Sequence, residues 1–266
     1  MTALGSIDIA VIGPPLLVGL LVLASAAPLG LIIARRRGPF VSLALAQTAA
    51  AGVTGGNALW GAANILAVQV TALVAALFCA VAVTALARRV RSPEVAAGAI
   101  FALAAALQLA LLAHDSNGAT TIRDLLTGQV LAISPQLLVG TIVLACAAMM
   151  IWWLHDAIRA TLVFNLVLAV VACVAVQIVG LLVVLVVVTV PAAAAQRGPA
   201  SWQPLIAFNI GALGYAVGLV LSAVLAIPAG PAIVCAMVPL GVVADLAIGV
   251  ARRRDPGLRK RSIQAT

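Results

Sequence analysis

Charge is what this 266-residue sequence has least of: Asp, Glu, Lys and Arg make up 8% of it, where a soluble domain carries about 25%. A chain of this length cannot cover a water-facing surface with so few charges, which excludes a soluble enzyme and a charged disordered chain. Acidic residues are the scarcer sign, with seven in all: Asp8, Glu94, Asp115, Asp124, Asp156, Asp245 and Asp255. They are too dispersed to supply a buried carboxylate pair for proton relay. The two histidines, His114 and His155, fall in different polar stretches. There is no H-E-x-x-H and no G-x-x-x-x-G-K-[ST] phosphate loop, so neither metalloprotease nor nucleotide chemistry is expected. The four cysteines (Cys79, Cys146, Cys173 and Cys235) lie in separate apolar runs with no C-x-x-C pair. That excludes a disulfide scaffold and points to buried free thiols. No metal site and no cofactor are predicted. The first twelve residues hold no Lys or Arg ahead of the first apolar run, so no cleavable signal peptide is expected.

What is there is apolar: 65% of the chain is hydrophobic. Runs such as Ile178 to Val190 do not alternate, which excludes a transmembrane β-barrel. The fold class expected is all-α, a polytopic helical membrane protein in a lipid bilayer. A crossing needs about 20 apolar residues. Candidate spans are 13–34, 38–58, 62–87, 95–113, 137–154, 161–178, 180–196, 204–226 and 231–250. This gives about nine transmembrane helices, with eight possible, in one membrane domain over 1–251 and a basic tail over 252–266.

The net charge of +8 is not a nucleic-acid signature, because of where the cations sit. All but Arg123 fall in short tracts at Arg35–Arg37, Arg88–Arg91, Arg159, Arg197, Arg252–Arg254 and Arg259–Arg261. Cations retained on the cytoplasmic side produce this pattern. Nine spans with the N-terminus outside and the C-terminus inside place every tract on that side of a cell membrane. Trp60, Trp152, Trp153 and Trp202 then fall near span ends, where amphipathic rings prefer to sit. The stretch 161–196 is the exception to an easy count: as one helix it would be about 54 Å long. It must turn or break, and Gln177 and Gly180 at its middle mark a tight turn, with a re-entrant or broken helix as the competing geometry.

The polar groups left at mid-membrane are amides and hydroxyls: Gln47, Thr48, Gln69, Gln108, Asn165, Gln177, Thr189 and Asn209. Groups of this kind either bond helix to helix or line a path. Gln47, Thr48, Gln108, Gln177 and Thr189 are the candidate path residues. Asp245 is the one carboxylate clearly inside a span, close enough to its inner end to reach the interface or to pair with Arg252–Arg254. Small residues recur at helical spacing at Gly211, Gly214 and Gly218, at Ala49, Gly52 and Gly55, and at Ala192–Ala195. They fit close helix packing, or a pore lined by small side chains.

Several segments resemble the integral-membrane permease of bacterial ABC importers for zinc, manganese or iron. Val176 to Leu182, running into Val188 to Ala195, is similar in order and spacing to that family's LQVVGxLLVxALLVIPAATA stretch. Asp124 to Ser134 resembles its xLLFGNILxVS, and Glu94 to Leu112 its EDxAIGILF helix. Arg36 to Gly52 stands in the place of its RRMALLGDALSHAVLPG. The resemblance implies a homodimeric permease subunit with the path at the dimer axis, a cytoplasmic ATPase subunit and an extracellular solute-binding protein as partners, and no enzymatic activity of its own.

Two departures qualify what is carried over. Where the family has Gly-Asp-Ala-Leu-Ser-His, this chain has Ser42 to Gln47, so Leu43 replaces the aspartate and Gln47 the histidine. Leucine is no metal ligand and a neutral amide is a poor one, so the cargo expected is a metal ion, a chelate or another small solute. The family's cytoplasmic coupling segment is reduced here to about 154–160, leaving His155, Asp156 and Arg159 as the candidate ATPase contact, with Arg88–Glu94 and Arg197–Pro204 as other inner loops. A non-transporting scaffold derived from such a permease, or a transporter driven by an ion gradient, are the alternatives.

Overall fold

The computed structural model describes residues 9–36, 38–61, 63–90, 92–113, 150 and 161–254. Among these, every regular element is a helix. In chain order they are α1 (Ile9–Arg36), α2 (Pro39–Trp60), α3 (Ile65–Val90), α4 (Pro93–Leu112), α5 (Thr161–Val179), α6 (Leu181–Ala195), α7 (Gln203–Leu225) and α8 (Ala229–Arg254), with a short 3₁₀ turn at Ala200–Trp202. Apolar sequence in lipid leaves the backbone no water to bond, so each segment closes its own hydrogen bonds as a helix. Punctuation sets the ends. Pro39 and Pro93 open α2 and α4, and Ser92 caps α4 by accepting from the Val95 N–H at 3.4 Å. Gly61 closes α2 with φ +74°, and Ala226 closes α7 in the left-handed region.

Eight of the expected spans coincide with described helices to within a few residues; the span at 137–154 lies outside the described residues. By length and composition, six described helices suffice to cross a membrane, not nine. The shortfall has a physical reason at both missing members. α2 is long enough, but Gly, Thr, Gln and Asn dilute its apolar surface. α6 has 15 residues, about 22 Å at the helical rise, short of a core of about 30 Å.

Gly180 is the single residue between α5 and α6, at φ 86° and ψ 159°. That region is open essentially to glycine alone. Two contacts fix the sense of the turn. The Arg36 guanidinium lies 4.7 Å from the centroid of the Phe164 ring, on the first turn of α5. Its neighbour Arg35 donates through Nη2 to Gln203 Oε1 at 2.8 Å, just beyond α6. The start of α5 and the chain after α6 therefore meet the same end of α1, and the pair doubles back at Gly180. The tight turn is the geometry found, and Val176 and Val179 are fully buried beside it.

The same contacts gather the described cations at one end. Asn165 on the first turn of α5 donates to Thr84 Oγ1 at 2.9 Å, near the Arg88–Arg89 end of α3. Arg197 reaches Asp245 on α8. α5 is the most enclosed span, with 67% of its apolar window buried against 22% for α4 and for α8. Peripheral helices show apolar stripes outward; on α3 these are Leu66, Val70, Val74, Phe78 and Val81.

The recurring glycines serve packing. A Cβ at Gly214 would lie 3.0 Å from Met237 Cα, and one at Gly218 would overlap the Ile233 backbone, so α7 and α8 touch backbone to backbone. At Gly52, Ala72 Cα of α3 would lie 2.8 Å from a Cβ. Small side chains allow this approach where lipid supplies no hydrophobic drive between helices. The alternative of a pore lined by these residues is corrected for Gly52, Gly214 and Gly218. The cysteine expectation is corrected at one position: Cys79 and Cys173 are buried, but Cys235 is exposed, on the outward side of α8.

Candidate functional site

An amide inside a membrane must find a partner, since no water compensates it. Gln47 is 5% exposed on α2. Its Nε2 donates to Gln108 Oε1 on α4 at 2.6 Å. Gln108 Nε2 in turn donates to Thr54 Oγ1 at 3.3 Å, back on α2, and the Thr54 hydroxyl donates to the Ala50 carbonyl at 3.2 Å. Positions 47 and 54 are seven apart, two helical turns on one face, so one amide from α4 bridges two rungs of α2. Beside them Thr48 donates to the Ala44 carbonyl at 2.7 Å. The result is a neutral amide–hydroxyl ladder joining α2 and α4. Thr54 was not legible as a member from polarity alone. Its spacing from Gln47 on a single helix face was the available signal.

The other two candidate path residues stand apart from this ladder. Gln177 donates to the Cys173 carbonyl at 3.0 Å, and Thr189 to the Leu185 carbonyl at 2.7 Å. Both bonds return to the residue's own helix, one turn back, and neither reaches the α2–α4 set. The candidate coupling residues His155, Asp156 and Arg159 lie outside the described residues, as does His114.

Three polar positions change their meaning. Asn165 is on the first turn of α5 at the cationic end rather than at mid-span, bonded to Thr84. Asn209 is exposed and bonds its own Leu205 carbonyl at 2.8 Å. Asp245 finds Arg197, with Nε to Oδ1 at 2.9 Å and side chains 52% and 29% exposed. The ion-gradient reading rested on Asp245 as an intramembrane titratable group; a half-exposed ion pair at the cationic end does not serve it.

Gln203 was missed altogether. It is 8% exposed and makes three bonds: it accepts from Arg35, and its Nε2 donates to the carbonyls of Gln196 at 3.1 Å and Gly198 at 3.2 Å. It ties the chain between α6 and α7 to the end of α1. Its place at the edge of a loop hid it from a search for intramembrane amides.

Chemically, the described groups can offer hydrogen bonds and little else. Among the described residues no group of three or more His, Cys, Asp or Glu could hold a metal ion, and no buried side-chain nitrogen or oxygen lacks a partner. Leu43 is half-buried on α2, one turn from Gln47.

Comparison with known proteins agrees with this architecture. The model of the ABC 3 transport family matches residues 8–160 and 156–247. No curated protein matches the chain significantly. Among solved structures, PsaBC from Streptococcus pneumoniae in complex with Fab superposes with a TM-score of 0.72 at 18% identity, covering 89% of this chain and 91% of that one. A metal-chelate type ABC transporter in an inward-facing conformation superposes with a TM-score of 0.51 at 15% identity, covering 94% and 80%.

Proposed function

The chain belongs to the ABC 3 transport family, and from that premise we infer that it is the membrane permease subunit of an ABC importer, forming the translocation path rather than catalysing a reaction. The family match, running through most of the chain, is the observation that carries the reading. The protein works as a homodimer in the cell membrane, with a cytoplasmic ATPase subunit and an extracellular binding protein that delivers solute. The end that gathers Arg35, Arg36, Arg88, Arg89 and Arg197 faces the cytoplasm, in line with retention of cations on that side.

Gln47, Thr48 and Gln108, with Thr54, form the polar strip nearest the path on α2 and α4, and Gln177 and Thr189 line the path separately on α5 and α6. The cargo is a chelate or other small polar solute rather than a bare transition-metal ion. Leucine is no ligand, and the amide of Gln47 is already committed to Gln108. The inner loop with His155, Asp156 and Arg159 contacts the ATPase and transmits its closure to α5.

The test is purification of the tagged chain from its own host, followed by reconstitution. The expected result is a co-purifying ATPase whose hydrolysis rises when loaded binding protein is added, and no stoichiometric zinc or manganese by elemental analysis. A chain that purifies without an ATPase overturns the permease reading. A bound metal lost in Gln47→Leu overturns the choice of cargo.

A further inference from the structure

The described helices divide into two groups of four. α2, α3, α4 and α5 pack on one another, as do α1, α6, α7 and α8, while contact between the groups is sparse even for the consecutive pair α1 and α2. The inter-helix hydrogen bonds follow the same division. Gln47–Gln108, Gln108–Thr54 and Asn165–Thr84 lie inside the first group. Arg35–Gln203, the Arg197–Asp245 ion pair and the bond from Tyr215 OH to the Pro15 carbonyl lie inside the second. The backbone-to-backbone approaches divide likewise: Gly52 on Ala72 in the first, Gly214 on Met237 and Gly218 on Ile233 in the second.

The described chain passes between the groups twice. One passage is residues 37 and 38, between α1 and α2; the other is Gly180. Each is one or two residues long and contains a glycine. The surface between the groups is formed by α1 and α6 on one side and α2 and α5 on the other. An apolar void lies on it, lined from both groups by Val22, Ala26, Ser42, Leu168, Ala172 and Val187 among others. Its one hydroxyl, on Ser42, is turned back onto the Pro39 carbonyl at 2.7 Å. Arg36 over Phe164 holds the two groups together next to the Gly38 passage, and the Gly180 turn joins them at the opposite end.

We propose that the described helices form an articulated pair of four-helix bundles, joined at Gly38 and at Gly180, whose rotation about these two joints, over the α1/α6–α2/α5 surface, is the conformational change of this chain. Polar locks and close glycine packing make each bundle rigid, because breaking them strands polar groups in lipid. The surface between bundles is apolar and has no such locks among the described residues, so a shift there strands no polar group in lipid. Hinge and shear motions of packed helices have this anatomy.

The inference that ATP drives this motion rests on the permease reading; the existence of the articulation does not, and the experiment separates the two. Spin labels are placed at exposed positions of the chain in bilayer nanodiscs, in a background lacking native cysteines and diluted with unlabelled protomers. Phe78 on α3 and Leu103 on α4 report the first bundle, and Leu213 on α7 and Val243 on α8 the second. In the chain alone, Ala172→Leu fills the small gap and overpacks the surface between the groups. The expected result is that the 78–213 and 103–243 distances change beyond the about 1–2 Å of an ordinary helix shift, while 78–103 and 213–243 hold. Ala26→Val is the milder substitute should Ala172→Leu not fold. In the assembled transporter without packing variants, adding ATP and vanadate moves the same two distances and spares the other two. Movement within either bundle as large as that between them overturns the articulation, as does a filled void that moves none of the four. A response to filling without a response to nucleotide keeps the articulation and removes the permease reading instead.

Discussion

At Gln47 the chain places an amide where the resembled importers have an imidazole, and that amide finds a partner in Gln108 at 2.6 Å. The two amides are complementary, one donating and the other accepting, so losing either leaves a buried polar group with half its bonding unmet. Gln47→Leu and Gln108→Leu should each destabilise the folded protein in detergent, and the double substitution should cost less than their sum. A coupling of about 0.6–1.7 kcal/mol is the scale of such bonds in membrane helices. Titration with a denaturing detergent on the four members of the cycle measures it, and strict additivity would show that the pair does not interact. That Gln47 and Gln108 matter was readable from polarity within apolar runs. That they matter to each other was not, because nothing in the sequence pairs α2 with α4.

Helices α5 and α6 carry the lesson of the element. Thirty-five consecutive helical and turn residues, Thr161 to Ala195, are uncharged and mostly apolar, so run length requires a break and glycine marks its place. The direction after the break follows from Arg35 and Arg36 holding both ends of the pair. Gly180→Ala puts a Cβ on a residue at φ 86°, ψ 159°. It should destabilise by about 1–3 kcal/mol, the cost of backbone held in such a region. Gly38 differs: its φ is −123°, and a Cβ there would meet Val41 at an ordinary 3.7 Å. Gly38→Ala should change stability by no more than about 1 kcal/mol. Thermal unfolding followed by circular dichroism compares the two, and equal effects would remove the special role of Gly180.

For the whole molecule, the organising fact is the asymmetry of its few charges. Five described arginines collect at one end of the bundle, with Asp245 the acidic group paired there by Arg197. An exposed pair of this kind is worth only about 0–1 kcal/mol, so its use is in placing the loop between α6 and α7 rather than in holding the fold. Asn64, beyond the far end of α2, and Ser92, at the cap of α4, lie at opposite ends of α3. In sealed vesicles, an impermeant thiol reagent should label Asn64→Cys from one face and Ser92→Cys from the other. Labelling of both from the same face would defeat the topology, and with it the cytoplasmic assignment of the arginines.

Composition, run length and the placement of cations suffice for a helical membrane protein with one cationic face, because these follow from solvent alone: lipid admits apolar helices and excludes charge. Glycine and proline add most of the helix ends, since backbone sterics act locally. Partnership between distant residues is of a different kind. Gln108 bridging Gln47 and Thr54, Gln203 held by Arg35, and Asp245 taken by Arg197 depend on which helices become neighbours. In lipid that choice is made by surface shape, by where a glycine lets one backbone meet another. Shape is a property of the packed helices and has no periodicity to read along the chain.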